Sequence, residues 1–486
     1  MTRNDLAPFF ERRQHFTAAI GDGIAIIPGA QEIGRNGDVH YEFRQSSDFF
    51  FLTGFDEPDA VVVINPAHAK ERFVLFVRPR DREMEIWNGR RAGVEGAIAT
   101  YGADAAYPID RLDEKLRGYL LDRHTLYYRL GSPAYDARIV RLLTELRSLR
   151  ARGFTSPVRI EDPGPLVHEL RLRRSPSELA LHRRACEISR DAHTEAMRVA
   201  KPGLYEYQVQ AAIEYVFRHG GSMRNGYPSI VASGPNACIL HYTENSRRME
   251  DGDLLLIDAG CEFGYHSADI TRTLPVNGRF TPPQRAVYEL VLKAQLAGIA
   301  AAKPGHRYEA VHDAARRVLT EGLVALGVLP RSVEESLAMH HYREFYMHGT
   351  GHWLGMDVHD VGDYRIARES RVLEPGMVLT VEPGLYFDPE RESVTYDLRE
   401  YSEEEMWERR YRLGMSAARK LEDEEKSRAK KVTHPVPADY RGIGIRIEDD
   451  VVITAAGCEI LTAGTPKTIE DVERACAEAP RVVRSS

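Results

Sequence analysis

Apolar residues recur along the chain with two different periods, one typical of strands and the other of helices. The order of these patterns divides the sequence into two predicted domains. Up to about residue 170, short apolar runs that read as strands alternate with stretches in which apolar residues have helical spacing. The predicted strands are 60–64, 73–77 and 126–130, and the predicted helices are 112–121 and 137–149. Strands that alternate with helices predict a small α/β domain at residues 1–165. The Pro/Gly-bearing segment 152–165 is interpreted as the linker to a second domain, residues 166–486.

The second domain opens with a strong helix-start signal. Ser175 is a predicted N-cap, Pro176 occupies the first helical position, and Glu178 completes a capping box, so a helix is expected from there to about Val199. A helix is then predicted at 206–219, another from 281 to about 302, and a further helix that ends at about 326. Strands are predicted at 230–232 and 254–258. The repeated order of two helices followed by strands suggests an internal duplication. Helices on a curved, mostly antiparallel sheet make this an α+β domain.

The segment from about 390 to 435 differs from its surroundings. About half of its residues are charged, with both signs mixed, and Ser402 with Glu405 forms a capping-box pattern. We expect a charged, helical insertion, with a solvated helix at 402–431. Two interpretations remain open: a surface insertion without chemistry, or an arm for partner binding or oligomerisation.

Composition narrows the class of protein. The chain has 486 residues, and this length favours two domains. A net charge of −8 argues against nucleic-acid binding, which needs a basic face. No apolar run approaches the roughly 20 residues of a membrane span, and the N-terminus lacks the apolar stretch of a signal peptide. Five cysteines without a C-x-x-C spacing indicate reduced thiols. These observations predict a cytoplasmic protein without membrane or nucleic-acid partners.

Candidate chemistry begins in the stretch Leu254–Thr273. Apolar residues lead directly to Asp258, Gly260 and Gly264 permit a turn, and a second alternating run carries Asp269. Pairing of these runs as a hairpin would bring both carboxylates to one end, where a buried pair would need a cation. The alternative is that Asp258 starts a turn and Asp269 faces water.

Two later predicted strands end in similar acids. In 377–383, Glu382 stands at a strand terminus, because Pro383 cannot continue a central ladder. In 442–448, three isoleucines share one face, and Arg446 and Glu448 share the other. An ionisable pair opposite an apolar face indicates the floor of a polar site.

Histidines are dense in 347–360, where His348, His352 and His359 stand among three glycines. The pattern is not the H-E-x-x-H helix of a zinc protease, because the glycines oppose a helix and no Glu follows either of the first two histidines. His241 follows a predicted turn and is by itself either structural or catalytic.

The four acids with one histidine form an oxygen-rich ligand set. It suits manganese, cobalt or iron(II) better than a single zinc ion. Four negative charges in one pocket would repel strongly unless cations neutralise them, and two divalent ions would balance them. Such a site activates water and polarises a carbonyl, so the residues point to a two-metal hydrolase.

Several long stretches of the chain resemble the pita-bread metallopeptidases and, within them, the aminopeptidase P family. The stretches are IDAGCEFGYHSADITRTLPVNG, CILHYTEN, MHGTGHWLGMDVHDVG, EPGMVLTVEPGLY and RGIGIRIEDD, together with YEFRQSSDFFFLTGFDEPDAVVVI and EIWNGRRAG near the N-terminus. The resemblance covers nearly the whole chain. It implies a pita-bread catalytic domain behind an N-terminal domain of the aminopeptidase P type.

The resemblance also implies roles for individual residues. Two divalent ions, most often Mn²⁺ in the family, would be held by Asp258, Asp269, His352, Glu382 and Glu448, with Asp269 and Glu448 as bridges. The catalytic residues around them would be His241, His348, His359 and Arg446, of which the histidines hold the substrate and relay protons. The implied reaction is hydrolysis of the bond between an N-terminal residue and a following proline, by a metal-bridging hydroxide.

The resemblance leaves other points as expectations. Trp87 matches a tryptophan that reaches a neighbouring subunit, which implies a homo-oligomer, a dimer or tetramer. Either Arg150 or Arg152 matches an arginine late in the N-terminal domain. The 390–435 insertion departs from the family pattern. A prolidase acting on Xaa-Pro dipeptides is the alternative function. A non-catalytic pita-bread binding protein is disfavoured because all five ligands are present.

Overall fold

The computed structural model describes residues 6–330, 332–398, 403–428 and 430–481. The chain divides into two compact units, Met1–Arg171 and Leu172–Ser486. The division falls within a helix, Gly164–Leu172, rather than after residue 165. No helix in the described part of the chain is both long and apolar enough to cross a membrane.

The first unit is built around one six-stranded mixed sheet with the strand order β6-β5-β4-β1-β7-β8. The strands of the unit are β1 Ile24–Pro28, β2 Gly34–Asn36, β3 Val39–His40, β4 Val61–Ile64, β5 Phe73–Val77, β6 Ala105–Pro108, β7 Thr125–Tyr127 and β8 Arg159–Glu161. Of these, β2 and β3 pair with each other in a separate ribbon. Its helices are α1 Ala7–Ile20, α2 Ser47–Thr53, α3 Arg82–Asn88, α4 Gly93–Ala99, α5 Leu112–Leu120, α6 Pro133–Arg147 and α7 Gly164–Leu172.

Strands and helices alternate in this unit as the sequence pattern predicts. β5 has the predicted bounds, and its side chains are fully buried because the strand lies inside the sheet. The predicted linker is more ordered than expected, since β8 pairs in parallel with β7 at the sheet edge. Arg150 and Arg152 lie in a 3₁₀ turn, Ser148–Arg152, and Trp87 lies on α3 with 82% of its surface exposed.

The second unit consists of helix pairs and short antiparallel sheets. Its helices are α8 Pro176–Val199, α9 Glu206–His219, α10 Pro282–Ala301, α11 Glu309–Ala325, α12 Val333–Ala338, α13 Glu403–Leu413, α14 Met415–Arg428 and α15 Ile469–Ala477. Its strands are β9 Arg224–Asn225, β10 Ile230–Ser233, β11 Leu254–Asp258, β12 Cys261–Phe263, β13 His266–Ser267, β14 Thr271–Pro275, β15 Arg365–Ile366, β16 Glu369–Ser370, β17 Val378–Val381, β18 Gly384–Tyr386, β19 Ser393–Leu398, β20 Lys430–Pro435, β21 Gly444–Arg446, β22 Asp449–Ile453 and β23 Cys458–Ile460.

The two halves of this unit repeat one arrangement. The packed pair α8 and α9 precedes the sheet β10-β11-β14, and the packed pair α10 and α11 precedes the sheet β17-β22-β23. The capping box predicted at Ser175 is present, with the Ser175 hydroxyl and the Glu178 side chain each bonded to the other's backbone N–H. The strand pairings of the sheets in both halves are antiparallel. The expected α+β architecture with an internal duplication is confirmed.

The acidic hairpin differs from the sequence prediction in one respect. β11 pairs with β14 as expected, with Asp258 opposite Thr271, but the run from Tyr265 to Thr273 is not one strand. Tyr265 has a positive φ of 66°, and the chain first forms β13 before it enters β14. Gly260 permits this path, because a Cβ there would lie 1.8 Å from the Ala268 carbonyl oxygen. Asp269 therefore lies in a bend before β14 rather than on the strand.

The charged insertion forms an antiparallel ribbon, β19 and β20, that carries the two helices α13 and α14. The single helix expected at 402–431 is divided, because Gly414 adopts a φ of +78° that ends α13. The proposed cap Ser402 lies outside the described residues. At the base of the ribbon, Val394 and Tyr396 are buried in the core of the second unit.

Candidate metal centre

One cavity in the second unit, of about 510 Å³, collects every site residue expected from the sequence. The five expected ligands and four expected catalytic residues all line it: Asp258, Asp269, His352, Glu382, Glu448, His241, His348, His359 and Arg446. These residues come from five separate segments of the chain.

Strand ends deliver the four carboxylates. Asp258 is the last residue of β11, and Asp269 lies two residues before β14, the neighbouring strand of that sheet. Glu382 directly follows β17, and Glu448 lies between β21 and β22. The Glu448 N–H donates to the Thr271 carbonyl oxygen at 3.1 Å, which ties the two halves of the unit together beneath the site. A residue at a strand end keeps a fixed backbone and projects beyond the ladder.

The histidine loop lies alongside β17. The N–H of Thr380 donates to the His352 carbonyl oxygen at 3.0 Å, and that of Glu382 donates to the Thr350 carbonyl oxygen at 2.7 Å. Gly351 is required for this approach, because a Cβ there would lie 2.0 Å from the Thr380 carbonyl oxygen. The close packing brings His352 and Glu382 to the same point.

Asp269, His352 and Glu448 form the centre of the cluster, with one ligand atom of each within 4.8 Å of the others. His352 Nε2 lies 3.2 Å from Asp269 Oδ2 and 3.7 Å from Glu382 Oε1. Its Nδ1 lies 3.0 Å from the Trp353 carbonyl oxygen and donates to it. This hydrogen bond orients the ring so that Nε2 faces the acids, the usual arrangement for a metal-binding histidine.

Asp258 is held on the other side of the cluster. The Arg446 guanidinium donates to Asp258 Oδ2 at 2.6 Å, and the Tyr227 hydroxyl donates to Asp258 Oδ1 at 2.6 Å. Tyr227 also contacts Asp269 Oδ1, so that it joins the two carboxylates. The Thr271 hydroxyl donates to Glu448 Oε2 at 2.7 Å.

The electrostatics show how poorly the acids are neutralised by the protein. Burial raises the pKa of Glu382 to about 7, even though His352 and Arg446 oppose the shift. Burial, together with the charges of Asp269 and Glu382, raises the pKa of Glu448 well above its usual range. Burial disfavours the protonated form of His352 and so acts to lower its pKa. The hydrogen bond to Asp269 and the negative charge of Glu382 outweigh burial and raise the pKa of His352 to about 9. A divalent cation would remove this strain, and the carboxylate and imidazole donors fit such an ion.

The remaining histidines lie around this cluster. His348 Nε2 is 2.9 Å from the Tyr386 hydroxyl, and Arg446 donates to the same hydroxyl at 2.9 Å. The ring of His359 packs edge-on against His352, with 4.4 Å between centroids. His241 and His359 are both exposed to solvent at the cavity.

Three residues of this site were not expected from the sequence: Tyr227, Thr271 and Tyr386. Thr271 shares the alternating pattern with Asp269, and Tyr386 follows the Glu382-Pro383 strand end. Their positions in the sequence therefore gave a weak indication that both lie near the site. Tyr227 lies 31 residues before Asp258 in a segment without chemical pattern, and only the folded chain brings it to the acids.

Comparison with known proteins places the chain in a family. Residues 180–455 match the model of metallopeptidase family M24, and residues 9–127 match that of the aminopeptidase P N-terminal domain. The chain is 42% identical over 468 residues to the Xaa-Pro aminopeptidase of Escherichia coli strain K12, with 96% of each chain covered. The chain therefore belongs to metallopeptidase family M24.

Within that family the similarity is to aminopeptidase P, as expected from the sequence motifs. The structure of Pseudomonas aeruginosa aminopeptidase PepP has a TM-score of 0.86 and 45% identity, and covers 97% of this chain and 98% of that chain. A variant of Escherichia coli aminopeptidase P in complex with substrate has a TM-score of 0.84 and 41% identity, covering 97% and 98%. The pita-bread fold with its N-terminal domain is confirmed.

Proposed function

We propose that the chain is a dimetal aminopeptidase that hydrolyses the bond between an N-terminal residue and a following proline. Relatives similar over nearly their full length are named Xaa-Pro aminopeptidase. The observation that carries the proposal is the convergence of four carboxylates, three of them buried, and His352 in one cavity. Such a cluster is costly without a cation and serves hydrolysis with one.

The expected ligands would hold two divalent ions, which we take to be manganese because the donors are hard and mostly oxygen. Asp269 and Glu448 are the proposed bridges, and Asp258, His352 and Glu382 the terminal ligands. When bound, such ions polarise a carbonyl and lower the pKa of a water molecule.

A hydrogen-bond chain defines the state of the residues beside this cluster. Arg446 can only donate, so the Tyr386 hydroxyl accepts from it and donates its own proton to His348 Nε2. His348 Nδ1 donates to the Gly349 carbonyl oxygen at 2.7 Å. Burial lowers the pKa of His348 to about 3. We therefore assign His348 a hydrogen-bonding role in its neutral form. Tyr386 would orient His348, and Arg446 would orient both Tyr386 and Asp258.

The two solvent-exposed histidines are better placed for proton exchange. Burial lowers the pKa of His359, and the nearby charge of His352 lowers it further. We assign substrate contact and proton relay to His241 and His359. Apolar side chains of the same cavity, Ile230, Leu240 and Val358, offer a surface for a proline ring. The prolyl nitrogen carries no hydrogen, so the wall that receives it needs no acceptor.

Hydrolysis of an Xaa-Pro-Xaa tripeptide with added manganese tests the activity. We expect release of the first residue, loss of that release with a chelator, and recovery when manganese is restored. The matched Xaa-Ala-Xaa tripeptide is the control for specificity. No release, or release that the chelator does not affect, would contradict the proposal. Faster cleavage of an Xaa-Pro dipeptide than of the tripeptide would instead assign the chain as a prolidase.

Metal analysis of protein purified without chelator tests the ion count. We expect two equivalents of manganese per chain that are lost together in Asp269→Ala. A single catalytic equivalent would refute the two-ion assignment.

We further propose that the chain forms a homo-oligomer in which Trp87 takes part. Its large exposed surface on α3 supports a role in contact with another molecule. Light scattering of the wild-type chain and of Trp87→Ala tests this, and a monomeric wild-type chain would exclude it. The five cysteines are free thiols, which supports a reducing compartment such as the cytoplasm.

A further inference from the structure

A second cluster of metal-binding residue types is buried in the second unit, outside the proposed catalytic ligands. It consists of His182, Cys186 and Asp450, and one ligand atom of each lies within 4.8 Å of the others. The cluster contains a thiol, whereas the proposed catalytic ligands offer only oxygen and nitrogen.

The fold brings these three side chains together outside the residues that line the catalytic cavity. His182 and Cys186 are one turn apart on α8, so they lie on the same face of the helix. Asp450 lies on β22, opposite Thr380 of β17. Cys186 Sγ is 3.3 Å from Asp450 Oδ2. Three ligand types therefore meet between a long helix and the central strand of a sheet.

The polar atoms of this cluster are poorly satisfied. In the described part of the chain, neither ring nitrogen of His182 has a hydrogen-bond partner, although the residue is fully buried. Asp450 Oδ1 also has none among those residues. Leaving a buried donor or acceptor without a partner is unfavourable, so this arrangement favours the binding of another group there.

A further nitrogen donor lies close to the cluster. His266 Nδ1 is 3.0 Å from the Gly264 carbonyl oxygen and donates to it, which leaves a lone pair on Nε2. That Nε2 is buried and has no hydrogen-bond partner within the described ranges, and the His266 ring centroid is 6.1 Å from that of His182.

We propose that His182, Cys186 and Asp450 bind a divalent ion of the zinc type, and that His266, which lies outside the 4.8 Å group, moves toward the ion as a fourth ligand. A thiolate, a carboxylate and a neutral imidazole neutralise a charge of +2, so the complex would carry no net charge in a buried site. Zinc ligands lie about 2.0–2.3 Å from the ion, which puts tetrahedral ligand atoms roughly 3.5 Å apart. The Cys186 and Asp450 atoms already have that spacing, and the thiol proton is released to solvent on binding.

The site would also connect to the catalytic cavity. Asp450 Oδ2 accepts a hydrogen bond from the Asp269 N–H at 3.0 Å. A metal ion held by Asp450 would tie α8 to the bend that carries Asp269. The site is therefore proposed as structural, with no role in the reaction itself.

Cobalt(II) is a direct probe, because a thiolate ligand gives cobalt(II) an intense near-ultraviolet charge-transfer absorption that oxygen and nitrogen ligands do not give. The full chain would be produced in cobalt-supplemented medium, so that a buried site fills during folding. We expect the thiolate band in the wild-type chain and in Cys261→Ala, and its loss in Cys186→Ala. Cys261 is the matched control, since it is also buried and its Sγ donates to the Ala185 carbonyl oxygen at 3.4 Å.

A second variant guards against a folding defect. In His182→Gln we expect the band to fall by more than half while circular dichroism stays that of the wild type. Absence of the band in the wild-type chain, or an undiminished band in Cys186→Ala, would overturn the proposal. Metal analysis gives an independent count: the wild-type chain should hold one equivalent more than Cys186→Ala, and equal counts would also overturn it. None of these readouts depends on peptidase activity.

Discussion

Two antiparallel ribbons of the second unit use carboxylates in opposite ways. The strands β11 and β14 are buried throughout, and Asp258 at the end of β11 and Asp269 just before β14 meet other acids inside a cavity. The ribbon of β19 and β20 carries helices on which acids pair locally with arginines, as Glu425 does with Arg409 at 2.8 Å and Glu422 with Arg410.

The difference shows that the groups around a carboxylate determine its properties more than whether it belongs to Asp or Glu. In the insertion, each of these acids has an arginine on the facing helix, so the charges cancel within the segment. In the cavity, Arg446 pairs with Asp258, while burial still raises the pKa of Glu382 and Glu448. These two acids of the insertion are neutralised by neighbouring arginines, whereas bound cations would neutralise the acids of the cavity.

Asp269→Ala is expected to have the largest effect. It removes the carboxylate that contacts both His352 and Tyr227, and with it a proposed bridge between the ions. We expect kcat/KM for the tripeptide to fall by about 10³-fold or more, the equivalent of roughly 4 kcal/mol, together with loss of bound metal. The matched control from the insertion is Glu425→Ala, which should leave activity unchanged and lower stability by less than about 1 kcal/mol. An unchanged rate in Asp269→Ala would refute the site assignment.

The pH dependence of metal binding should have the next largest effect. Glu382, with a pKa of about 7, and His352, with a pKa of about 9, must both lose a proton to become ligands. Manganese affinity should therefore rise with pH, by about tenfold per unit for each proton released, until both groups have titrated. Calorimetric titration between about pH 6 and 9 measures this, and a flat profile would contradict the assigned ligands.

The raised pKa values of Glu382 and His352 also predict that the metal-free protein loses stability as pH rises, whereas its affinity for manganese increases. Both pKa values lie above those of the unfolded chain, so these groups stabilise the fold fully at low pH. That contribution is lost as pH rises through about 7 for Glu382 and about 9 for His352. The difference in Tm between metal-loaded and metal-free protein should therefore widen as pH rises over this window.

Tyr386→Phe should have a smaller effect. It removes the hydroxyl that links Arg446 to His348 but leaves every proposed metal ligand in place. We expect kcat to fall by about 10- to 100-fold while the metal content stays that of the wild type. The matched control is Tyr396→Phe at the base of the insertion, a buried tyrosine whose hydroxyl has no hydrogen-bond partner among the described residues. Equal losses in the two variants would show that the effect is only on packing.

Removal of the helical hairpin should have the smallest effect. Leu398 pairs with Lys430 at the end of the ribbon, so residues 399–429 can be replaced by Asn-Gly, which closes a two-residue hairpin. We expect tripeptide hydrolysis to stay within about twofold of the wild type, because the proposed ligands lie in other segments of the chain. The Tyr411 ring lies 4.4 Å from the Arg368 guanidinium carbon, next to the hairpin of β15 and β16. A larger loss would show that this contact supports the site.

The sequence pattern alone was sufficient to predict those features that depend on neighbouring residues in the chain. The Ser175-Pro176-Glu178 start of α8, the bounds of β5 and β11, and the strand-end positions of Glu382 and Glu448 follow from capping chemistry and side-chain period. The ligand roles came from resemblance to a family, whereas spacing indicated only that four acids and a histidine were available.

Tertiary structure decided what depends on contacts between distant segments. It split the run from Tyr265 to Thr273, because Gly260 allows the chain to pass against Ala268. It brought Tyr227 and Tyr386 to the acids, and it set which carboxylate received Arg446. It also placed His182 and Cys186 beside Asp450, which is more than 250 residues away in sequence. A pKa depends on burial and neighbouring charge, so the sequence could name the acids, but only the fold shows that burial raises the pKa of Glu382 and of Glu448.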